Sequence, residues 1–178
     1  MYPYLRMFHQ LWKFRGSKMG LFDTHVSHHT CLPQDIDPWM ELNNGRTLTL
    51  YDLGRVPMAI RMGFDRLAKT HGWGLTVAGA STRYRRRVRM FQRVEMRSRV
   101  IGWDARFLYM DQSMWRGGEC TSQMLLRSAV ASKDGSVAPA IVLQAMGHPA
   151  QSPPLPDWVQ AWSDADALRP WPPKPARD

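Results

Sequence analysis

Cysteine is scarce in this chain of 178 residues: Cys31 and Cys120 are the only two. Two thiols give no disulfide framework and no zinc-binding pattern, so a reducing cytoplasm is the expected compartment and no metal is expected. Long apolar runs are missing as well. A helix that crosses a bilayer needs about 20 consecutive, mostly apolar residues, and no stretch here reaches that. The first 15 residues have neither the continuous apolar centre nor the small-residue cleavage site of a secretory signal. Acids are outnumbered, with 15 Asp and Glu against 24 Lys and Arg, a formal charge of +9. That balance favours an anionic partner, whether nucleic acid, anionic lipid or a phosphorylated ligand, without choosing among them. His25, His28 and His29 have no further cluster of ligands at metal spacing nearby, which makes them strand residues rather than a metal site. No internal repeat is visible.

What is present fits one domain by length, and 44% hydrophobic residues suffice for a core. Three stretches are expected: an amphipathic helical segment over 1–20, a main domain over 21–148, and a Pro- and Trp-rich arm over 149–178. In the first, Leu5, Phe8, Leu11 and Trp12 form an apolar stripe beside Arg6, Lys13 and Arg15. Such a helix packs on its own domain or on a partner subunit, with peripheral contact to a membrane surface as the second reading. In the arm, a short helix over 157–161 is expected to dock Trp158 and Trp162, with the last few residues loose.

The main domain reads as a strand over 22–32, a helical region, and then strands over 75–84, 94–103, 105–115 and 119–132. Val94, Met96 and Val100 alternate against Glu95, Arg97 and Arg99, the period of a half-buried strand. Gly117-Gly118 and Asp134-Gly135 mark turns. The organising stretch is 35–61. Asp35 and Asp37 sit in a loop with Pro33 and Pro38, Asn43 and Asn44 follow as cap residues, and Leu48, Tyr51, Val56, Ala59 and Ile60 recur at helical spacing. Pro57 is expected to bend or interrupt that helix. Two carboxylates thus precede a capped helix whose first N–H groups carry partial positive charge. A base beside oxyanion donors suits acyl transfer; an ordinary loop and helix cap would read the same.

The pattern D-x-D-x-x-x-x-x-N-N followed by G-R-x-L-x-x-x-D-L-G-R resembles hot-dog-fold acyl-CoA thioesterases of the 4-hydroxybenzoyl-CoA thioesterase type. The resemblance implies an α+β fold in which a long central helix is wrapped by a curved antiparallel sheet of about five strands. It places Asp37 at the catalytic position, as nucleophile or general base, and Asn43 and Asn44 on the family's two asparagines, with the Asn44 N–H as oxyanion donor. Glu41 stands where the family commonly has His, and would act as a second acid or merely fill that place. Asp35 is not made catalytic and is expected to tolerate neutralisation. Asp52 is a further carboxylate, read as the partner of Arg55. The resemblance also implies an acyl-CoA substrate, no cofactor beyond the coenzyme A it carries, and a homodimer or a pair of dimers. The alternative is a hot-dog module that binds acyl-CoA or a partner without turnover.

Arg83, Arg85, Arg86, Arg87, Arg89 and Arg93 form the densest positive cluster, with Tyr84 and Phe91 among them. No nucleic-acid motif accompanies it, so nucleic acid is not expected. Arg85, Arg86 and Arg87 are the candidates for coenzyme A phosphates, since the guanidinium fork matches phosphate oxygens; a solvated sheet edge would also look like this.

Overall fold

The computed structural model describes residues 2–173. One antiparallel sheet carries the fold. Its strands β1 (His25–Thr30), β2 (Gly74–Tyr84), β3 (Arg93–Trp103), β4 (Leu108–Arg116) and β5 (Glu119–Ser132) lie in the order β1-β3-β4-β5-β2, and a short β6 (Gly135–Val137) pairs with the end of β5. The expected alternation along β3 holds: Val94, Met96, Ser98 and Val100 are buried while Arg93, Arg97 and Arg99 face solvent. This is the hot-dog arrangement read from the sequence.

The inner face of the sheet packs on α2 (Asn44–Arg61), which buries Thr47, Leu50, Tyr51, Leu53, Gly54, Pro57 and Met58. The buried stripe differs in phase from the one read in the sequence, because Leu48 and Ile60 fall on the flank and stay exposed. Each fully buried Leu or Met side chain contributes about 1.5–3 kcal/mol. Gly54 permits the close approach: a Cβ there would lie 2.7 Å from Met96 Sδ and 2.9 Å from Ser98 Oγ. Polar stitches fix the register, with Gln112 Nε2 donating to Tyr51 O at 3.0 Å and to Ser98 Oγ at 2.7 Å. Contrary to expectation, Pro57 does not interrupt the helix, whose hydrogen bonds resume with Met62 N–H to Met58 O at 3.0 Å. The break comes at Gly63, whose φ of +91° suits glycine. Helix α3 (Phe64–His71) follows and leads into β2.

The N-terminal helix α1 (Tyr4–Lys13) docks through Met7 and Gln10. That corrects the expectation that Leu5, Phe8 and Trp12 would pack on the domain; all three are exposed. Beyond β6, α4 (Pro139–Ala145) buries Val142 and Leu143. The arm then crosses the outer face of the sheet, held where Trp103 Nε1 donates to Ala150 O at 3.1 Å. It ends in α5 (Asp157–Ala167), longer than expected. Val159 is the residue fully buried there, against Tyr109 and Leu125. Trp162 packs beside it, under the Arg127 guanidinium, but Trp158 does not dock and is half-exposed. The residues expected to be loose, 174–178, lie outside those described.

Candidate active site

The loop between β1 and α2 is built on Asp35. A single 3-10 turn, Pro33–Asp35, carries its carboxylate inward, where it is fully buried. Oδ2 accepts from Arg6 at 2.6 Å and from the Leu32 N–H at 3.0 Å; Oδ1 accepts from Arg46 Nε at 3.0 Å and Nη2 at 2.8 Å. Burial alone would push this carboxyl up, but the Leu32 N–H and the two guanidinium groups outweigh it and hold it below the usual range. Asp35 therefore ties α1 to the start of α2. The expectation that it tolerates neutralisation is corrected: it is a structural anion between two cations.

Asp37 closes the next turn. Its N–H donates to Glu41 O at 2.9 Å, and its Oδ1 accepts from the Trp39 N–H at 2.9 Å and the Glu41 N–H at 3.3 Å. Met40 is held inside this turn at φ +60°, an uncommon backbone for a residue with a side chain. Asp37 is half-buried, and its Oδ2 has no donor among the described residues.

Asn43 is the N-cap of α2. Its side-chain oxygen accepts from Gly45 N–H at 2.8 Å and Arg46 N–H at 3.2 Å, as an asparagine cap should. Those two orphan donors are thereby satisfied, and the Asn44 N–H, at the first helical position, is left without an acceptor among the described residues. Asn43 thus serves the helix directly.

Glu41, Asn44, Arg85, Arg86 and Arg87 line one cleft of about 180 Å³, together with Thr47, Tyr84 and Thr121. Asp37 and Asn43 are outside that lining; Asp37 borders it through its two hydrogen bonds with Glu41. The loop is pinned to the arginine segment by the Leu42 N–H to Val88 O bond at 2.8 Å and a bridge between Glu41 and Arg89. The arginines differ in availability. Arg87 is paired with Glu41 at 2.9 Å and Arg86 with Glu119 at 2.5 Å, whereas Arg85 is exposed with no carboxylate partner among the described residues.

The other carboxylate candidate is elsewhere. Asp52 is ion-paired with Arg55 on α2, partly buried, and lines a separate cleft of about 360 Å³ with Tyr2, Leu75 and Val77. Burial raises its carboxyl, with Arg55 opposing. His25 and His29 are buried in β1, while His28 faces Glu95 at 3.6 Å. No cluster of three or more metal-ligating side chains occurs among the described residues. Sequence reasoning missed Tyr84, Thr121 and Ser122 as cleft walls. They come together only through the β2–β5 register, which sets Tyr84 opposite Ser122, and no local signal reports a pairing across that distance. Ser122 also bonds Tyr51 of α2 at 2.9 Å, fixing the cleft floor.

Comparison with known proteins agrees with this geometry. Residues 31–163 match the model of the thioesterase-like superfamily, well over half of the chain, and the chain belongs to that superfamily. Among characterised relatives it resembles Protein THEM6 of Drosophila melanogaster, 27% identical over 155 residues, covering 85% of this chain and 78% of that protein. It also resembles Protein THEM6 of Xenopus laevis, 32% identical over 92 residues, covering 52% of this chain but only 44% of that protein. The match thus spans less than half the length of the frog relative. Among solved structures, a DHNA-CoA thioesterase from Staphylococcus aureus superposes with a TM-score of 0.61 at 13% identity, over 82% of this chain and 92% of that one. At that identity the likeness is one of fold.

Proposed function

We propose that this protein hydrolyses an acyl-CoA thioester to the free acid and coenzyme A. The observation that carries the reading is at the start of α2: a carboxylate with one open oxygen, Asp37, stands in the same short loop as an N–H without an acceptor, Asn44, beside an arginine-lined cleft. The thioesterase named among the fold's neighbours supports the reaction class.

In this reading Asp37 Oδ2 attacks the thioester carbonyl, or takes a proton from a water that does. Negative charge develops on the carbonyl oxygen, and the Asn44 N–H, at the positive end of α2, stabilises it. Collapse expels coenzyme A as its thiolate. On the nucleophilic route the acyl–Asp37 anhydride is then opened by water; on the general-base route the acid is released at once. Glu41 is held by Arg87, so its part is to position the Asp37 turn and that guanidinium. Among the three arginines, Arg85 is the one whose donors are open to a coenzyme A phosphate; Arg86 and Arg87 would have to exchange a carboxylate for it.

A second reading, binding without turnover, is favoured by one observation: Glu41 replaces a titratable histidine with a carboxylate already neutralised. A panel of acyl-CoA substrates with a free-thiol assay separates the two. Hydrolysis predicts thiol release from at least one substrate; binding across the panel with no thiol released contradicts it.

A further inference from the structure

Helix α1 presents two different apolar faces. Met7, Gln10 and Leu11 turn toward the domain. Tyr4, Leu5, Phe8 and Trp12 fall within about 100° of one another on the helix and remain 62, 85, 62 and 60% exposed. Four large apolar side chains on one unpartnered face exceed the scattered exposure of an ordinary surface. At the end of the helix, Arg15, Lys18 and Arg66 line a cleft of about 380 Å³ between α1 and the α2–α3 junction. Among the described residues none of these three cations has a carboxylate partner, and Asp65 is the one acid in the lining. Arg61 also reaches this cleft, but it is held by His25 Nδ1 at 2.8 Å.

We propose that α1 and this cleft together form a docking surface for an anionic phospholipid bilayer. Aromatic and aliphatic side chains flanked by Lys and Arg are the composition that lies in a membrane interface, the apolar face among the acyl chains and the cations at the phosphates. Charge complementarity selects this occupant. A two-fold contact with a second copy through this face would set Lys13, Arg15 and Lys18 of both chains against their equivalents, like charge against like. A nucleic acid would use the cations but leave Leu5 and Phe8 uncovered.

Vesicle flotation of the full chain tests this. The protein should float with phosphatidylcholine vesicles containing phosphatidylglycerol, far less with phosphatidylcholine alone, and less again as salt rises. Arg15→Gln with Lys18→Gln should weaken binding to the anionic vesicles roughly 30-fold, from about fivefold per cation. Leu5→Ser with Phe8→Ser should weaken it by about tenfold or more. Both double variants should keep the wild-type secondary structure and melting temperature, since all four side chains are exposed and unpaired. Wild-type protein that floats with neither vesicle overturns the proposal, as does flotation indifferent to both double variants. A Leu5→Ser, Phe8→Ser protein whose particle mass falls by light scattering overturns it too, by making this face a subunit contact.

Discussion

At the scale of single residues, the molecule separates two carboxylates that its sequence sets two positions apart. Asp35 is buried between Arg6 and Arg46, and Asp37 is half-open on a turn. Asp35→Ala leaves two guanidinium groups without their anion and should cost about 3–5 kcal/mol of stability, read as a lower midpoint in urea unfolding. Because the folded state holds the Asp35 carboxyl below its ordinary value, its contribution is present at neutral pH and is lost only as pH falls through that depressed value. The histidines act earlier on the same axis. Burial, with Arg61 for His25 and Arg6 for His29, lowers them to about 4 and about 3. The unfolded chain binds those protons from about pH 6.5 downward. Stability should therefore be full above that pH and fall below it, by up to about 1.4 kcal/mol per pH unit for each histidine. Chemical unfolding at stepped pH checks this, and a flat profile from pH 7 to 4.5 would contradict it. The sequence made the loop legible as a site because prolines, acids and cap residues are local signals. It could not distinguish the roles of Asp35 and Asp37, since burial of Asp35 depends on Arg6, 29 residues away.

At the scale of elements, the strands were legible where one face is buried and the other wet, as along β3, and the turns where paired glycines allow them. Helix α2 was legible as a helix but not in phase. Its face is set by the inner side of the sheet, which demands Gly54 at the closest approach and buries Thr47 and Pro57. Gly54→Val should cost about 1–3 kcal/mol, less only as far as Met96 can swing away; a melting temperature equal to wild type would refute that packing. In α1 the periodicity named the apolar stripe correctly but could not say that the fold would dock the neighbouring face instead. The same limit misplaced Trp158: α5 is anchored by Val159 and Trp162, one position and four positions on.

At the scale of the whole molecule, β2 ends the sheet with an unpaired edge, and Leu75 and Val77 beside it are exposed. Open edges of this kind invite a partner strand, and the expected assembly is a homodimer or a pair of dimers joined there. Light scattering at micromolar concentration should give at least twice the chain mass, and Leu75→Lys with Val77→Lys should reduce it; a wild-type monomer would refute this. The positive charge is also distributed with a purpose that can be tested. Arg85→Gln should weaken turnover of a full acyl-CoA more than turnover of a pantetheine thioester, and equal loss on both would remove Arg85 from the nucleotide's path. The central claim is that Asp37 performs the chemistry, and one comparison tests it most directly: thiol release by wild type and by Asp37→Asn, at matched folding and with coenzyme A binding measured alongside. The outward-facing Glu95→Gln is the control, because Asp35 is structural. The account predicts a loss of about 100- to 10,000-fold for Asp37→Asn with binding retained and the control unaffected. An Asp37→Asn protein that folds, binds and hydrolyses near the wild-type rate would contradict it.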